Sequence, residues 1–172
     1  MFVATYPSPL GTIVMESDGE VLTALRFGKE GFALRFGDSV NETAPHSIPT
    51  QEIAVFDEVR RWLDEYFNGK RTENAVMGAT TDGRISVRSK GTAFQQRVWQ
   101  TLSTIPYGKT VSYGDVARMV GCKSAQAVGQ AVGANPIALL IPCHRVISAH
   151  GKIGGYEYGI EIKKQLLELE QL

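Results

Sequence analysis

The residues best suited to chemistry are Cys143, His144 and Arg145, which follow Ile141-Pro142. A thiol is a strong nucleophile only as thiolate, and nearby positive or proton-accepting groups lower its pKa. His144 and Arg145 supply both kinds of group within two residues. A third candidate lies near the C-terminus. In a helix predicted from about Ile160 to Gln171, Ile162, Leu166 and Glu170 stand at i, i+4 and i+8 and share one ridge. A carboxylate on an apolar ridge is expensive unless paired. His144 is a suitable partner; the alternative is fraying, with Glu170 reaching water two residues from the last residue. Cys143, His144 and Glu170 then form a candidate thiol–imidazole–carboxylate relay. Neighbours in an extended chain point to opposite sides, so the proton would pass from Cys143 to His144 through a water. The plainer reading is a small inert buried cysteine beside a satisfied histidine.

Several elements must hold these groups. The apolar run Ile137 to Leu140 reads as a buried strand that Pro142 terminates. Asn135-Pro136 precedes it, and an Asn side chain can hold such a corner by bonding to neighbouring backbone. Upstream, Thr92-Ala93-Phe94-Gln95 is a capping box, and the helix it opens stacks Phe94, Val98 and Leu102 and stops by Pro106. Thr110 to Ser112 is short and extended. Ser112 caps a helix with Tyr113 in its first turn and Val116, Ala117 and Val120 on its inner face. Gly121-Cys122-Lys123 turns the chain into a further helix, Ser124 to Gly133. Two helices joined by a short Gly-containing turn form the helix-turn-helix pattern. The second is built from Ala125, Ala127, Gly129, Ala131 and Gly133, although each interior Gly costs about 1 kcal/mol relative to Ala. Close approach of another backbone, either DNA or a packed helix, would account for it.

The first half reads differently. Phe2 to Tyr6, Thr12 to Ser17 and Val21 to Phe27 are predicted strands, with turns at Pro7–Gly11 and Asp18-Gly19-Glu20. Lys29 to Phe36 suits a short helix. Thr50 is the expected N-cap of a helix that carries Ile53, Phe56, Val59, Leu63 and Phe67 on one face and ends near Asn68-Gly69. The stretch Lys70 to Lys90 is polar, with one strand expected at Arg84 to Arg88. A domain boundary is placed there, giving domains 1–88 and 89–172. The fold class is α/β (α+β), with a sheet-and-helix first domain and a mostly helical second one.

Composition narrows the function. The chain has 172 residues, 43% hydrophobic and 21% charged, with zero net charge, so a normal core is expected. Residues 1–90 carry 10 Lys and Arg against 13 Asp and Glu, whereas residues 91–172 carry 8 against 5. The basic excess sits in the half holding Cys143, which is compatible with a polyanion partner. Two cysteines do not make a disulfide framework. No apolar run approaches membrane-spanning length, and the N-terminus lacks a secretory pattern. The expectation is a soluble cytoplasmic protein with no membrane association and with Cys143 reduced.

The stretch from Gly91 to Glu170 resembles the active-site domain of the O6-alkylguanine-DNA alkyltransferases, the methylated-DNA–protein-cysteine methyltransferases. The resemblance is carried by Gly91-Thr92-Ala93-Phe94-Gln95, Val98-Trp99, Ile105-Pro106-Tyr107-Gly108 and Val111-Ser112-Tyr113. It continues through Ala127-Val128-Gly129, Asn135-Pro136, Ile141 to Ile147, Gly154-Gly155-Tyr156 and Leu166-Leu167. The first half resembles the family's ribonuclease-H-like domain more loosely. The resemblance implies a second domain with a helix-turn-helix of winged-helix type. It implies that Cys143 accepts the alkyl group from O6-alkylguanine, and also from O4-alkylthymine, in double-stranded DNA. His144 would take the thiol proton through a water, Glu170 would orient His144, and Tyr113 would donate to N3 of the departing guanine. Asn135 would brace the corner before the Cys143 turn. The carbonyls of Cys143 and Val146 would read the guanine amino group, the amide of Glu157 would face O6, and Tyr158 would narrow the pocket. Ala125, Ala127 and Gly129 would press into the minor groove while the target base is flipped out. The transfer is irreversible and needs no cofactor, and a monomer is expected.

Two departures stand out. Gln126 occupies the position where the family usually has an Arg that fills the gap left by the flipped base, so weaker or slower flipping, or a different lesion preference, is expected. Some members bind zinc in the first domain through Cys and His; residues 1–90 hold no Cys and only His46, so no metal is expected. Two other classes compete. A non-catalytic alkyltransferase-like lesion-binding protein would lack the reactive cysteine, and Cys143 argues against it. A thiol hydrolase would need an oxyanion hole and leaves the small-residue helix without a role.

Overall fold

Period-two alternation builds the first sheet. In the computed structural model, which describes residues 1–28, 53–78 and 83–171, Phe2–Ser8 (β1), Gly11–Ser17 (β2) and Leu22–Phe27 (β3) form an antiparallel meander. The turn between β2 and β3 is held by the Asp18 carboxylate, which accepts from the amides of Glu20 and Val21. Ile13, Met15, Leu22 and Leu25 are fully buried from this sheet. Ala54–Phe67 (α1) covers it with Val55, Phe56, Val59, Leu63 and Tyr66. The N-cap position is Ile53, with no side-chain cap; Thr50 and the expected helix at Lys29–Phe36 lie outside the described residues. The buried aromatic at the end of α1 is Tyr66, and Phe67 is only half-buried, stacked on Tyr6 at 6.4 Å. Tyr66 sits three residues after Leu63 and seven after Val59, on the same ridge.

The polar stretch after α1 extends the sheet. Val76–Met77 (β4) and Ser86–Val87 (β5) join it in parallel, giving the order β1-β2-β3-β5-β4 among the described residues. The strand expected at Arg84 to Arg88 is thus only two residues long.

The second half is helical. Ala93–Leu102 (α2) starts at the Thr92–Gln95 capping box. Val111–Ser112 (β6) leads into Tyr113–Met119 (α3), capped by Ser112 and Asp115. Gly121, at φ +69°, makes the turn into Ala125–Gly133 (α4). Val146–Ile147 (β7) pairs in parallel with β6, and Ile160–Glu170 (α5) closes the chain.

The expectation of a strand at Ile137 to Leu140 is wrong. Only Ile137 makes a bridge, to Leu25 of β3, and Leu139 turns the chain at φ +66°. A short apolar run marks burial on all sides but does not distinguish a strand from a buried turn. The segment is clamped between the halves: Leu25 donates to the Pro136 carbonyl at 2.9 Å, Ala138 to Leu25 at 2.8 Å, and Ala75 to Leu140 at 3.0 Å. Beyond Leu22, β3 therefore bonds to the chain that leads into Cys143, and one sheet edge positions that residue.

Candidate active site

Cys143, His144 and Arg145 form a single 3-10 turn, all buried. The preceding corner is held by Asn135, whose side-chain oxygen accepts from Ile137 N at 3.0 Å while its amide donates to the carbonyls of Ile141 at 2.8 Å and Ile137 at 3.3 Å. Burial pushes the thiol pKa up; the Asn135 hydrogen bond, the Lys163 charge and the Tyr156 hydroxyl pull against it. Cys143 opens into a cavity of about 160 Å³ lined by Tyr113, Gly129, Asn135, Tyr156, Glu157 and Tyr158, among others.

Glu170 is buried, so the frayed alternative does not apply. Its carboxylate collects donors from both halves of the chain. His144 Nε2 lies 2.6 Å from Oε1, and the Tyr66 hydroxyl donates to the same oxygen at 2.8 Å. Arg145 donates from Nε to Oε2 at 2.8 Å and from Nη2 to Oε1 at 3.0 Å. The Gly108 amide donates at 3.1 Å; the turn there has φ +73°, and a Cβ would stand 3.0 Å from the Glu170 carbonyl. Burial by itself would raise the Glu170 pKa, but the hydrogen bonds from His144 and Arg145, together with the Arg145 charge, outweigh it and hold it at about 2. Burial lowers the His144 pKa more than Glu170 raises it, so the imidazole is neutral near pH 7 and the lasting counter-charge to Glu170 is Arg145.

These contacts assign the tautomer. An ionised carboxylate only accepts, so the proton of neutral His144 is on Nε2. Nδ1 is then a bare lone pair, buried and without a hydrogen-bond partner. A buried unpaired acceptor next to a thiol is suited to receive its proton, either directly or through one water.

Arg145 was expected only to lower the thiol pKa. It is instead a strut between the halves. Its Nη1 donates to Ile105 O at 2.6 Å and to Asn74 Oδ1 at 2.8 Å, and Asn74 in turn donates to the carbonyls of Ser103 and Ile105, both at 2.8 Å. Tyr66, Asn74, Gly108 and Lys163 were not picked out from the sequence as site residues. Lys163 is fully buried on α5, donating to Val146 O at 2.6 Å and Gly155 O at 3.0 Å, 5.8 Å above the Tyr113 ring. Desolvation lowers its pKa to about 8. An expectation of outward-facing polar residues holds for Glu161, Lys164, Gln165 and Glu168, and the helical period alone places Lys163 one step from Ile162 on the buried side.

The remaining candidates sit around the cavity mouth. Tyr113 and Tyr158 line it, and burial raises the pKa of both phenols, so both remain proton donors at neutral pH. Tyr158 packs edge-on to Phe27 at 5.3 Å and Tyr156 at 5.4 Å. The Val146 carbonyl is buried and already accepts from Lys163, leaving one lone pair. On α4, Val128, Ala131 and Val132 face the core, and Trp99 donates to Ala131 O at 2.8 Å. Ala125 and Gln126 are exposed, and Ala127 and Gly129 are partly so. A shallow groove beside this open face is lined by Ser112, Tyr113, Gly114, Arg118, Ala125 and Gly129. One face of the small-residue helix packs on the core and the other is open. Among the described residues no cluster of His, Cys, Asp or Glu is arranged to hold a metal, and no helix is long and apolar enough to cross a membrane.

This geometry has known counterparts. Residues 1–76 match the ribonuclease-like domain of 6-O-methylguanine DNA methyltransferase, and residues 93–172 match its DNA binding domain. The chain is 37% identical over 173 residues to a methylated-DNA–protein-cysteine methyltransferase of Haemophilus influenzae, covering 100% of this chain and 87% of that protein. A Mycobacterium tuberculosis protein of the same name is 42% identical over 168 residues, covering 97% and 90%. The crystal structure of Mycobacterium tuberculosis OGT in complex with DNA superposes with a TM-score of 0.76 at 39% identity, covering 99% of this chain and 93% of that one. With its cysteine turn, its helix pair and both domains matched, the chain belongs to the 6-O-methylguanine DNA methyltransferase family.

Proposed function

We propose that this chain repairs O6-alkylguanine in double-stranded DNA by moving the alkyl group onto Cys143, once per molecule. The observation that carries this reading is a cavity-lining Cys143 in one turn with His144, whose Nδ1 is buried and unpartnered and whose other nitrogen is tied to Glu170. The thiol proton passes to Nδ1, with a water as the bridge. The Cys143 sulfur then attacks the alkyl carbon in line; the S–C bond forms as the C–O6 bond breaks, and the electron pair goes to the purine. Tyr113 lines the cavity as a neutral phenol and donates to the ring nitrogen that gains charge. The Glu170 carboxylate, held by Arg145, stabilises the imidazolium formed on His144. A thioether has no good leaving group, so the protein does not turn over.

The lesion reaches Cys143 by base flipping, because its alkyl carbon is shielded within the stack. The open face of α4 approaches the minor groove with Ala125, Ala127 and Gly129, and Gln126 stands at the gap. The Glu157 amide and Tyr158 border the extruded base. O4-alkylthymine presents the same exocyclic alkyl oxygen and is a second substrate. The chain acts as a monomer, without metal or cofactor, in the cytoplasm.

The test is intact-protein mass after mixing with a duplex holding one O6-methylguanine, followed by peptide mapping. The expected result is a single methyl on Cys143, absent in Cys143→Ser. Tight lesion binding without any adduct would favour the non-catalytic lesion-binding reading, and multiple turnovers would contradict the mechanism.

A further inference from the structure

We infer that Tyr66, on the first-domain helix α1, is a positioning residue for the thiol reaction, setting the basicity of His144 through the carboxylate oxygen they share. The inference rests on the assignment of His144 as the proton acceptor. The Tyr66 hydroxyl donates to Glu170 Oε1 at 2.8 Å, and His144 Nε2 lies 2.6 Å from that same oxygen. Packing does not require the hydroxyl. The Tyr66 ring stacks on Trp62 at 5.1 Å and meets Phe67 and Tyr107 edge-on at 5.3 and 6.1 Å, and a Phe would fill the same space. The oxygen of a fully buried tyrosine has instead been brought to the one carboxylate that orients the imidazole.

A donor on Oε1 weakens that oxygen's hold on the Nε2 proton and so disfavours the imidazolium. Tyr66 also offers its own oxygen to Nε2 at 3.3 Å, which acts the other way. The first effect wins, because a hydrogen bond to an ionised group is roughly twice as strong as a neutral one and this contact is the shorter. Burial and the Glu170 charge keep Tyr66 protonated, so the donor persists across the working pH range. The other groups acting on His144 are Glu170 and Lys163 from α5 and Arg145 from its own turn, with Tyr107 acting on Tyr66 and itself raised by burial and by Glu170. All of them stay in place when only the hydroxyl is removed. Tyr66 thus holds His144 neutral at rest, and with it the thiol.

The experiment compares full-length wild type, Tyr66→Phe and Trp62→Phe. Imidazole nitrogen NMR follows His144 protonation, and iodoacetamide labelling against pH, mapped by peptide mass, follows Cys143 separately from Cys122. In Tyr66→Phe, His144 is expected to protonate at higher pH and Cys143 to label at lower pH, with labelling at pH 6 faster by at least about threefold. The methyl-transfer pH profile moves with it. Trp62→Phe disturbs the packing of the same ring but keeps the hydroxyl, and should move neither midpoint. Unmoved midpoints in Tyr66→Phe, or equal movement in both variants, would overturn the inference. A wild type that accepts no methyl group would sink the repair reading, while the two midpoints would still decide the role of Tyr66.

Discussion

Replacing Glu170 with Gln attacks the site at its most connected point. The side chains of Glu170 and Arg145 are 1% and 0% exposed, so loss of the carboxylate leaves a buried guanidinium short of its counter-charge. Breaking a buried ion pair from one side costs about 3–5 kcal/mol. An independent route gives a similar size. The Glu170 pKa falls from 4.5 to about 2, and at 1.36 kcal/mol per pH unit that is roughly 3 kcal/mol of folding free energy. The sign is fixed by the direction of the shift. A carboxyl held below its unfolded value contributes fully above about pH 4.5, and the contribution disappears as pH falls towards 2. The Gln amide adds to the loss, since one of its ends must point a donor at a donor: Arg145, or His144 and Tyr66. Glu170→Gln should therefore be about 3–5 kcal/mol less stable at pH 7, which for a chain of this length lowers the melting temperature by roughly 6–20 °C. The deficit should shrink as pH falls below about 4.5. Methyl transfer measured well below the melting temperature should slow by about 10²-fold or more, because His144 loses its orienting anion. Urea unfolding of both proteins between pH 3 and 7 checks the energetics. A deficit under about 1 kcal/mol, or one independent of pH, would refute this account of the network.

Four further outcomes are expected. Gly129→Ala has room, with the new Cβ 3.8 Å from the Tyr113 ring, so thermal melting should show stability unchanged or raised by up to about 1 kcal/mol, while titration with lesion duplex should show weaker binding; unchanged binding would mean that this face of α4 does not approach DNA. Gln126→Arg should raise lesion-duplex affinity and transfer rate, and a variant with neither changed would show that the flipped-base gap is filled by another group. Lys163→Met removes the positive charge that lowers the Cys143 pKa, so the pH midpoint of Cys143 labelling should rise. In the wild type, the depressed Lys163 pKa penalises the fold at lower pH, and this penalty should be relieved as pH rises from about 8 towards 10.5, which chemical unfolding across that range would read.

Interlocking of the halves gives these predictions a common basis. Arg145 spans from Glu170 to Asn74, Tyr66 reaches Glu170 from α1, and Leu25 of the first sheet bonds to the chain on either side of Ile137. Placing a domain boundary between Lys70 and Lys90 reflects composition. That stretch also carries β4, β5 and Asn74, and Asn74 accepts from Arg145 of the cysteine turn.

Cys143, His144 and Glu170 were legible as a candidate set from residue type and spacing, because thiol, imidazole and carboxylate chemistry is intrinsic to the side chains and the i, i+4, i+8 ridge is a local property of a helix; the His144–Glu170 contact is present in the fold. So were the Thr92–Gln95 capping box, the Ser112 cap and the helix-turn-helix, whose signals lie within a few residues. The open face of α4 was foreshadowed by its glycines and alanines. What the sequence left undetermined depends on contacts between distant residues. The run Ile137 to Leu140 is a buried turn because Leu25 of β3 and Ala75 take its backbone bonds, and hydrophobicity carries no information about which partner will do so. Arg145 reads as a charge beside a thiol, but it becomes a strut only when Asn74, 71 residues away in sequence, meets it. The tautomer of His144 is decided by a carboxylate 26 residues downstream, and the load on that carboxylate by a tyrosine 104 residues before it. Buried polar networks are set by three-dimensional proximity, since desolvation makes every unpaired donor costly, and only the folded chain determines which donors meet.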